Sequence, residues 1–278
     1  MRGMLQILRR DLIRAPWVRA GLVLRAAVLA GMAALLVECA VPGGITLPGT
    51  DRLGGLRVYA PAGPARHLVL LLSGDGGWNS GLEAIAAGLK ADGALVAGID
   101  SRSWLARMER EPASCAAPGR QLESVSHALA QHYGLTVPAL LVGHSAGATL
   151  AVIALAQASP RTFRGALTLA FCPELDLSVP VCPSPSLRGV SARRGQRLQP
   201  LGALPGPWID VHGLADAECP APPARQFIAR VPGALFIGLP GVGHSFGAAR
   251  SWWPQFLAAF SELVRSDPLP ALAGVTPP

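Results

Sequence analysis

ALLVGHSAGATLAVIALAQA, residues 139–158, is the stretch that decides the fold. Its first four residues form a short apolar run typical of a buried strand, and Ala146 to Gln157 form a run of small and aliphatic residues typical of a buried helix. Between them stands Gly143-His144-Ser145-Ala146-Gly147, whose glycines let a strand and a helix approach closely around a sharp turn. A serine on such a turn, at a helix N-terminus, is suited to nucleophilic attack. The stretch predicts a strand–turn–helix unit that presents Ser145 as a nucleophile.

Outward from this unit, short β-branched or Leu-rich runs alternate with longer Ala/Leu-rich runs that end at Gly or Pro. We predict strands at 56–60, 67–73, 94–100, 139–143, 166–171, 208–212 and 235–239, and helices at 82–90, 120–133, 146–157 and 252–264. This alternation is typical of one α/β domain with a mostly parallel central sheet and helices on both faces.

The segment between the strand ending at Phe171 and the strand starting at Trp208 is rich in Pro, Ser, Gly and Arg. It is too long for an ordinary connection, so we predict a lid-like insertion or a disulfide-braced loop. Four of its arginines could contact an anionic head group or simply form a solvated surface: Arg188, Arg193, Arg194 and Arg197.

Three regions are predicted along the chain: a leader at 1–40, a catalytic domain at 41–267 and a Pro-rich disordered tail at 268–278. The leader has a cationic start followed by the apolar run Ala26–Val37, which has the length of a secretory signal. Arg9-Arg10 also resembles a twin-arginine export signal. We expect export, with the leader either removed as a signal peptide or kept as an N-terminal membrane anchor.

The formal net charge of +7 arises mostly in that leader. From Val41 onward, 18 basic residues face 15 acidic ones, and Lys90 is the single lysine of the chain. Nucleic-acid binding, which depends on clustered basic residues, is therefore not expected.

Five cysteines occur in the chain, and Cys39 falls in the predicted leader. The remaining four form an even set, which fits disulfides in an oxidising compartment, although four buried thiols in a cytosolic enzyme would also fit. Cys172 with Cys182 closes a short loop and is our preferred bridge; the other pairings with Cys115 and Cys219 stay open.

The base that would activate the serine is predicted at His244, in a Gly-rich loop just after the last strand. Gly243-His244-Ser245-Phe246-Gly247 repeats the pattern around Ser145, but no histidine follows Ser245. In the α/β-hydrolase fold the chain order is nucleophile, acid, histidine. That order favours Ser145 as the nucleophile, and His212 remains the alternative base.

The acid that would orient His244 is predicted at Asp216, after the strand that ends near His212. Asp210 and Glu218 are lesser alternatives on the same part of the chain, and Asp176 is an alternative in the loop after the preceding strand.

Backbone N–H groups must also face the oxygen on which negative charge grows during acyl transfer. One donor is predicted at Ala146, and the other at Asp75 or Gly76, in the loop Ser73-Gly74-Asp75-Gly76-Gly77-Trp78. A turn without a role or a phosphate cradle would also explain this loop, but no G-K-[ST] sequence follows it. Neighbouring residues predicted to contact substrate are Gly74, Gly77, Trp78 and His144. No metal-ligand spacing occurs, and we expect no cofactor and no metal.

Four of these stretches, SGDGGW at 73–78, GHSAGATL at 143–150, FCPELDL at 171–177 and GVGHSF at 241–246, together resemble the bacterial virulence protein VirJ and AcvB family. The resemblance extends from about Leu53 to Leu263, and SGDGGW is its most specific element. It implies a periplasmic α/β-hydrolase with a single such domain, in which Ser145, Asp216 and His244 take the three catalytic roles.

The resemblance further implies hydrolysis of the aminoacyl ester of lysyl- or alanyl-phosphatidylglycerol, a phospholipid substrate at the membrane surface. Asp75 could then meet the ammonium group of the aminoacyl moiety. Two alternatives stay open: a general carboxylesterase or lipase, and a catalytically silent accessory protein that keeps the fold. No protein partner can be named from the sequence.

Overall fold

The computed structural model describes residues 44–45, 53, 55–111, 113–247 and 249–265. The predicted leader and tail lie outside these residues. The described strands are β1 Gly44–Ile45, β2 Leu56–Tyr59, β3 His67–Leu72, β4 Ala94–Ile99, β5 Ala139–His144, β6 Phe163–Leu169, β7 Glu174–Leu175, β8 Leu187–Ser191, β9 Gln196–Pro200, β10 Trp208–Gly213 and β11 Ala234–Leu239. The described α-helices are α1 Ser80–Ala91, α2 Ser101–Arg110, α3 Pro118–Tyr133, α4 Ala146–Gln157, α5 Ala221–Ile228 and α6 Trp253–Arg265.

Eight of the described strands form the main sheet, in the order β1-β2-β4-β3-β5-β6-β10-β11. The strands from β4 to β11 in this order are parallel, whereas β2 pairs antiparallel with both β1 and β4. The prediction of a mostly parallel sheet is confirmed. Because parallel strands end at one edge, the loops after β3, β5, β10 and β11 meet there.

Alternate residues of the central strands face opposite sides of this sheet. Leu68, Leu70 and Leu72 of β3 pack in the core that includes α2, α3, α4 and α5, whereas Val69 and Leu71 pack in the core that includes α1 and α6. Helices thus cover both faces, as predicted. Helix α4 is buried along nearly its whole length, which explains why its sequence is apolar on every side.

Most predicted bounds differ from the structure by one or two residues, and the larger differences concern β6 and two helices. Strand β6 begins at Phe163 rather than residue 166 and ends at Leu169, because Ala170 takes a positive φ of 54° that no strand continues through. Helix α2 was not predicted, and Asp100 caps it by accepting a hydrogen bond from the Ser103 N–H. Helix α5 was also missed, because it starts with the prolines of the sequence APPARQFI.

The segment between β6 and β10 forms a second, three-stranded antiparallel sheet in the order β7-β9-β8. Its buried residues Leu175, Leu187 and Leu198 join the core that includes α4. The insertion is therefore a packed part of the domain, and its action as a lid stays a prediction.

All four cysteines of the described residues form disulfides, but the preferred pairing of Cys172 with Cys182 is wrong. Cys115 pairs with Cys182, and Cys172 pairs with Cys219, with Cα–Cα distances of 4.8 and 5.2 Å. The segment before Cys182 runs parallel to the chain at Ala116, whose carbonyl accepts the Cys182 N–H, so Cys182 lies beside Cys115. Cys172 and Cys219 each follow the end of one of the neighbouring strands β6 and β10.

Two disulfides are typical of proteins outside the reducing cytosol, and they indicate an extracytoplasmic location. Within the described ranges, every helix is too short or too polar to span a bilayer.

Candidate active site

Ser145 lies at the sharp turn between β5 and α4, with φ 56° and ψ −124°. Non-glycine residues seldom adopt a positive φ, so the surrounding contacts must hold this conformation. The Ser145 N–H donates to the carbonyl of Leu169 at 2.9 Å. A Cβ at Gly143 would lie 2.3 Å from the Gly147 carbonyl oxygen, and a Cβ at Gly147 would lie 2.2 Å from that of Ser73. The two glycines of the pattern are therefore required by backbone contact.

His244 lies in the loop after β11, and its Nε2 accepts the hydroxyl hydrogen of Ser145 at 3.0 Å. His144 holds this loop in place, because its Nε2–H donates to the His244 carbonyl at 2.9 Å. Burial lowers the pKa of His144 below its ordinary value, which keeps this ring neutral. Phe246, with φ 60°, packs edge-on against His144 at 5.9 Å. His144 thus positions the loop that carries the base.

Asp216 lies after β10 and is 6% exposed. Its Oδ2 accepts the Nδ1–H of His244 at 2.8 Å, which leaves Nε2 free of hydrogen and able to accept the serine proton. Its Oδ1 accepts the backbone N–H groups of Glu218 at 2.9 Å and Cys219 at 2.8 Å. Both carboxylate oxygens are therefore fixed by hydrogen bonds to named donors.

The loops that carry the acid and the base are tied to each other by their backbones. The Leu214 N–H donates to Leu239, and the Ala215 N–H donates to Val242, both at 2.9 Å. A Cβ at Gly213 would lie 2.3 Å from the Val242 carbonyl oxygen, so the close approach depends on glycine. This contact sets the distance between Asp216 and His244.

The alternative base and the first alternative acid form a separate buried pair. His212 Nδ1 donates to Asp210 Oδ2 at 2.8 Å, and its Nε2 donates to the Cys219 carbonyl at 2.8 Å. Burial opposes a charged ring, but the hydrogen bond and the charge of Asp210 outweigh it and raise the pKa of His212. The protonated His212 holds the loop that contains Asp216 and has no contact with Ser145 among its hydrogen bonds.

The remaining alternatives lie elsewhere. Asp176 is exposed in the insertion, and Ser245 is exposed in the His244 loop rather than at a strand–helix turn. Glu218 approaches His244 from the solvent side, with Oε2 3.6 Å from Nε2.

The loop after β3 lies against the nucleophile. A Cβ at Gly74 would be 3.2 Å from the Ser145 Cβ and 3.5 Å from His144 Nδ1. Asp75 and Gly76 are exposed, and Gly77 donates its N–H to the Gly74 carbonyl at 3.1 Å, which closes the turn. Ala146 is the first residue of α4, where backbone N–H groups have no acceptor within the helix. The two predicted sources of oxyanion donors are thus on adjoining segments.

Trp78 anchors this loop to the sheet. Its indole N–H donates to Glu83 at 2.6 Å, and its ring covers Gly98, where a Cβ would come within 2.3 Å of it. Tyr59 stacks on the indole at 6.2 Å and also donates to Glu83. These contacts give Trp78 a structural part; its predicted contact with substrate stays a prediction.

Thr149 was missed by the sequence reasoning. Its hydroxyl donates to the Cys172 carbonyl at 2.7 Å, which links α4 to the disulfide of Cys172 with Cys219 and so to the acid loop. The sequence contained a signal, because Thr149 is the one polar residue of α4 ahead of its last residue, Gln157; in the structure Thr149 is fully buried.

The one cluster of possible metal ligands in the described part of the chain consists of Asp216, Cys219 and His244. The Cys219 sulfur is bonded to Cys172, and Asp216 and His244 are hydrogen-bonded to each other. These residues do not fit a metal site. The arrangement is instead suited to nucleophilic acyl transfer by a serine.

Comparison with known proteins agrees with this geometry. Residues 66–170, which include β3, the elbow and β6, match the family model described as bacterial virulence protein (VirJ). None of the curated proteins compared with the chain matches it.

Several solved structures share the fold at low sequence identity. TT1662 from Thermus thermophilus is 18% identical with a TM-score of 0.53, over 81% of this chain and 98% of that one. The native esterase Est2 of Thermogutta terrifontis is 17% identical with a TM-score of 0.54, over 81% and 92%. Est1E from Butyrivibrio proteoclasticus is 14% identical with a TM-score of 0.52, over 76% and 95%. The chain therefore shares the α/β-hydrolase fold with these structures, and its residues 66–170 are similar to the VirJ family of bacterial virulence proteins.

Proposed function

We propose that this protein is a periplasmic serine ester hydrolase that removes the aminoacyl group from aminoacyl-phosphatidylglycerol, with Ser145 as nucleophile, His244 as base and Asp216 as the orienting acid. One observation carries the ester hydrolysis: the continuous hydrogen-bonded chain from Ser145 Oγ through His244 to Asp216 Oδ2, with distances of 3.0 and 2.8 Å. Each group has the partner that its role requires.

In the acylation step, His244 Nε2 takes the proton of Ser145 as Oγ bonds to the ester carbonyl carbon. Negative charge then grows on the carbonyl oxygen, near the start of α4 and the loop after β3. The N–H of Ala146 and that of Asp75 or Gly76 stabilise it, and each such donor accelerates the reaction by roughly 10²–10³-fold. His244 returns its proton to the departing glycerol oxygen of phosphatidylglycerol.

In the deacylation step, His244 removes a proton from water as the water oxygen attacks the acyl carbon on Ser145. The free amino acid leaves, and the serine hydroxyl is restored. Asp216 stabilises the imidazolium in both steps, because its Oδ2 faces Nδ1 and its Oδ1 is held by two backbone donors.

The proposal of a lipid substrate is supported by the resemblance to the VirJ and AcvB family and by arginines on the surface of the domain. Arg102 lies beside the loop after β3, with its Cδ 3.7 Å from the position of a Cβ at Gly77, next to the carboxylate of Asp100 at 3.4 Å. In the insertion, Arg197 is paired with Glu174, whereas Arg193 and Arg194 are exposed in the turn between β8 and β9. These groups favour an anionic phospholipid at a membrane surface.

A general carboxylesterase is the second candidate. It is favoured by the fold neighbours, which include Thermogutta terrifontis Est2 structures with bound butyrate and propionate. A silent accessory protein is disfavoured, because the hydrogen-bonded chain at Ser145 would have no use there.

The experiment incubates the purified protein with lysyl- and alanyl-phosphatidylglycerol in detergent and follows phosphatidylglycerol release by mass spectrometry. Ser145→Ala is the inactive variant, and Ser245→Ala is the matched control, because its serine is exposed in the second G-H-S-x-G sequence. We expect release by the wild type and Ser245→Ala only. Cleavage of model esters without cleavage of the lipids would favour the general esterase, and no serine-dependent cleavage at all would contradict hydrolysis.

A further inference from the structure

Glu218 is a carboxylate at the mouth of the site that the reaction described above does not use. It lies between β10 and α5, two residues after Asp216, and its backbone N–H is bonded to Asp216 Oδ1. The Glu218 side chain lies beside the base, with Oε2 3.6 Å from His244 Nε2, and this side chain is 75% exposed. The backbone of Glu218 thus belongs to the acid loop, while its charge faces the space where a substrate must lie.

Two distances that share His244 Nε2 limit how far this carboxylate can lie from the nucleophile. His244 Nε2 lies 3.0 Å from Ser145 Oγ and 3.6 Å from Glu218 Oε2. The separation of Oε2 and Oγ therefore cannot exceed the sum of these two distances, and an ester under attack has its carbonyl carbon at bonding distance from Oγ. Within the described residues, His244 is the one basic side chain in contact with Glu218, and it must be neutral when it acts as base.

A carboxylate whose one basic neighbour is neutral discriminates between substrates by their charge. It attracts a cationic group on the substrate and repels an anionic one, and the effect strengthens as the bound substrate excludes water. An α-ammonium nitrogen is two bonds of about 1.5 Å each from the ester carbonyl carbon. That short reach is compatible with an ion pair to Glu218 while the carbonyl carbon is held at Ser145.

We infer that Glu218 is a specificity-determining residue that binds the α-ammonium group of an α-aminoacyl ester at the Ser145 site. The inference rests on the proposed ester hydrolysis and narrows its substrates to esters with a cationic acyl group. We propose Glu218 rather than Asp75 for this role, because Asp75 has no contact with His244 or Ser145 among the described interactions, whereas Glu218 contacts the base directly.

The test compares two esters that have the same leaving group and nearly the same shape. Alanine ethyl ester carries an ammonium group at pH 7, and ethyl isobutyrate has a methyl group in its place. We measure kcat/KM for both with the wild type and with Glu218→Gln. The variant should lower the ratio of alanine ester to isobutyrate by about two- to fivefold, the size of an ion pair at an exposed site. Glu218→Asp should restore part of the ratio.

Two further variants separate the possible outcomes. Glu262→Gln removes an exposed carboxylate of α6, which pairs with Arg265, and should keep the wild-type ratio. Asp75→Asn should also keep it; a fall in Asp75→Asn with no change in Glu218→Gln would overturn the inference. An equal loss for both esters in Glu218→Gln would overturn it as well, because Glu218 would then act through His244. If the wild type showed no Ser145-dependent cleavage of either ester, the proposed hydrolysis itself would fall, and the inference with it.

Discussion

Replacing Asp216 with Asn changes one atom of the carboxylate, and the structure dictates which atom it must be. Oδ1 accepts the backbone N–H groups of Glu218 and Cys219, so the oxygen of the new amide stays there. Its NH₂ group then faces His244 Nδ1, which must become an acceptor. The ring hydrogen moves to Nε2, the atom that has to receive the proton of Ser145. The variant keeps the fold but holds the base in the wrong tautomer.

The size of the effect follows from this loss of a competent base. The equivalent tautomer error in serine proteases lowers kcat by about 10⁴-fold, which corresponds to about 5 kcal/mol of transition-state stabilisation. We expect a loss of the same order here, with KM little changed, because Asp216 is buried and does not contact substrate. The assay is hydrolysis of p-nitrophenyl butyrate, with circular dichroism and thermal unfolding to show that the fold is retained.

Asp176→Asn is the matched control, because Asp176 is an exposed aspartate in the insertion. It should hydrolyse the ester at the wild-type rate. Retention of more than a tenth of the wild-type kcat by Asp216→Asn, or a loss of 10³-fold or more in Asp176→Asn, would refute the assignment of the acid.

Three further predictions concern the parts that hold the site. Gly147→Ala should prevent the sharp turn at Ser145 from forming, because the new Cβ would lie 2.2 Å from a backbone carbonyl oxygen at the end of β3. We expect loss of both activity and soluble protein. A stable, active variant would contradict the geometry. Burial opposes a charged His212, but Asp210 outweighs this effect and raises the pKa of the ring. The stability that this pair contributes should therefore be complete below about pH 6.5 and lost as the pH rises through the higher pKa of the folded state. Urea titrations from pH 6 to 9 should show this decline in the wild type and less of it in His212→Asn. Removal of the Cys172–Cys219 disulfide by a double change to Ala should lower the free energy of unfolding by about 4 kcal/mol, given its separation of 47 residues. It should also lower kcat, because the loop that carries Asp216 is then no longer linked covalently to the segment that α4 contacts through Thr149. An unchanged kcat would show that Thr149 and the backbone contacts are sufficient to hold this loop.

The elbow and most strands of the main sheet could be predicted from sequence because each depends on local pattern. Gly143 and Gly147 are required by contacts within one strand–turn–helix unit, and apolar runs of four to six residues mark strands buried on both faces. Helix α5 could not be predicted, because two prolines in sequence are typical of a loop, and only the structure shows that they occupy the first turn of a helix.

The disulfides could not be predicted because their pairing depends on contacts between distant segments. Cys172 is close in sequence to Cys182, but the strand neighbours β6 and β10 bring it to Cys219. The side-chain direction of Glu218 could not be predicted either: its position two residues after Asp216 suggested an alternative acid, whereas its carboxylate lies 3.6 Å from His244 Nε2.

Covalent labelling of Ser145 tests the central proposal most directly. The protein is treated with a fluorophosphonate, digested, and mapped by mass spectrometry, with Ser145→Ala and His244→Ala in parallel. The account predicts one adduct, on the peptide that contains Ser145, that is absent from Ser145→Ala and greatly slowed in His244→Ala, because the Nε2 that accepts the serine hydrogen at 3.0 Å is gone. An adduct on Ser245 instead, or no adduct on folded wild-type protein, would contradict it.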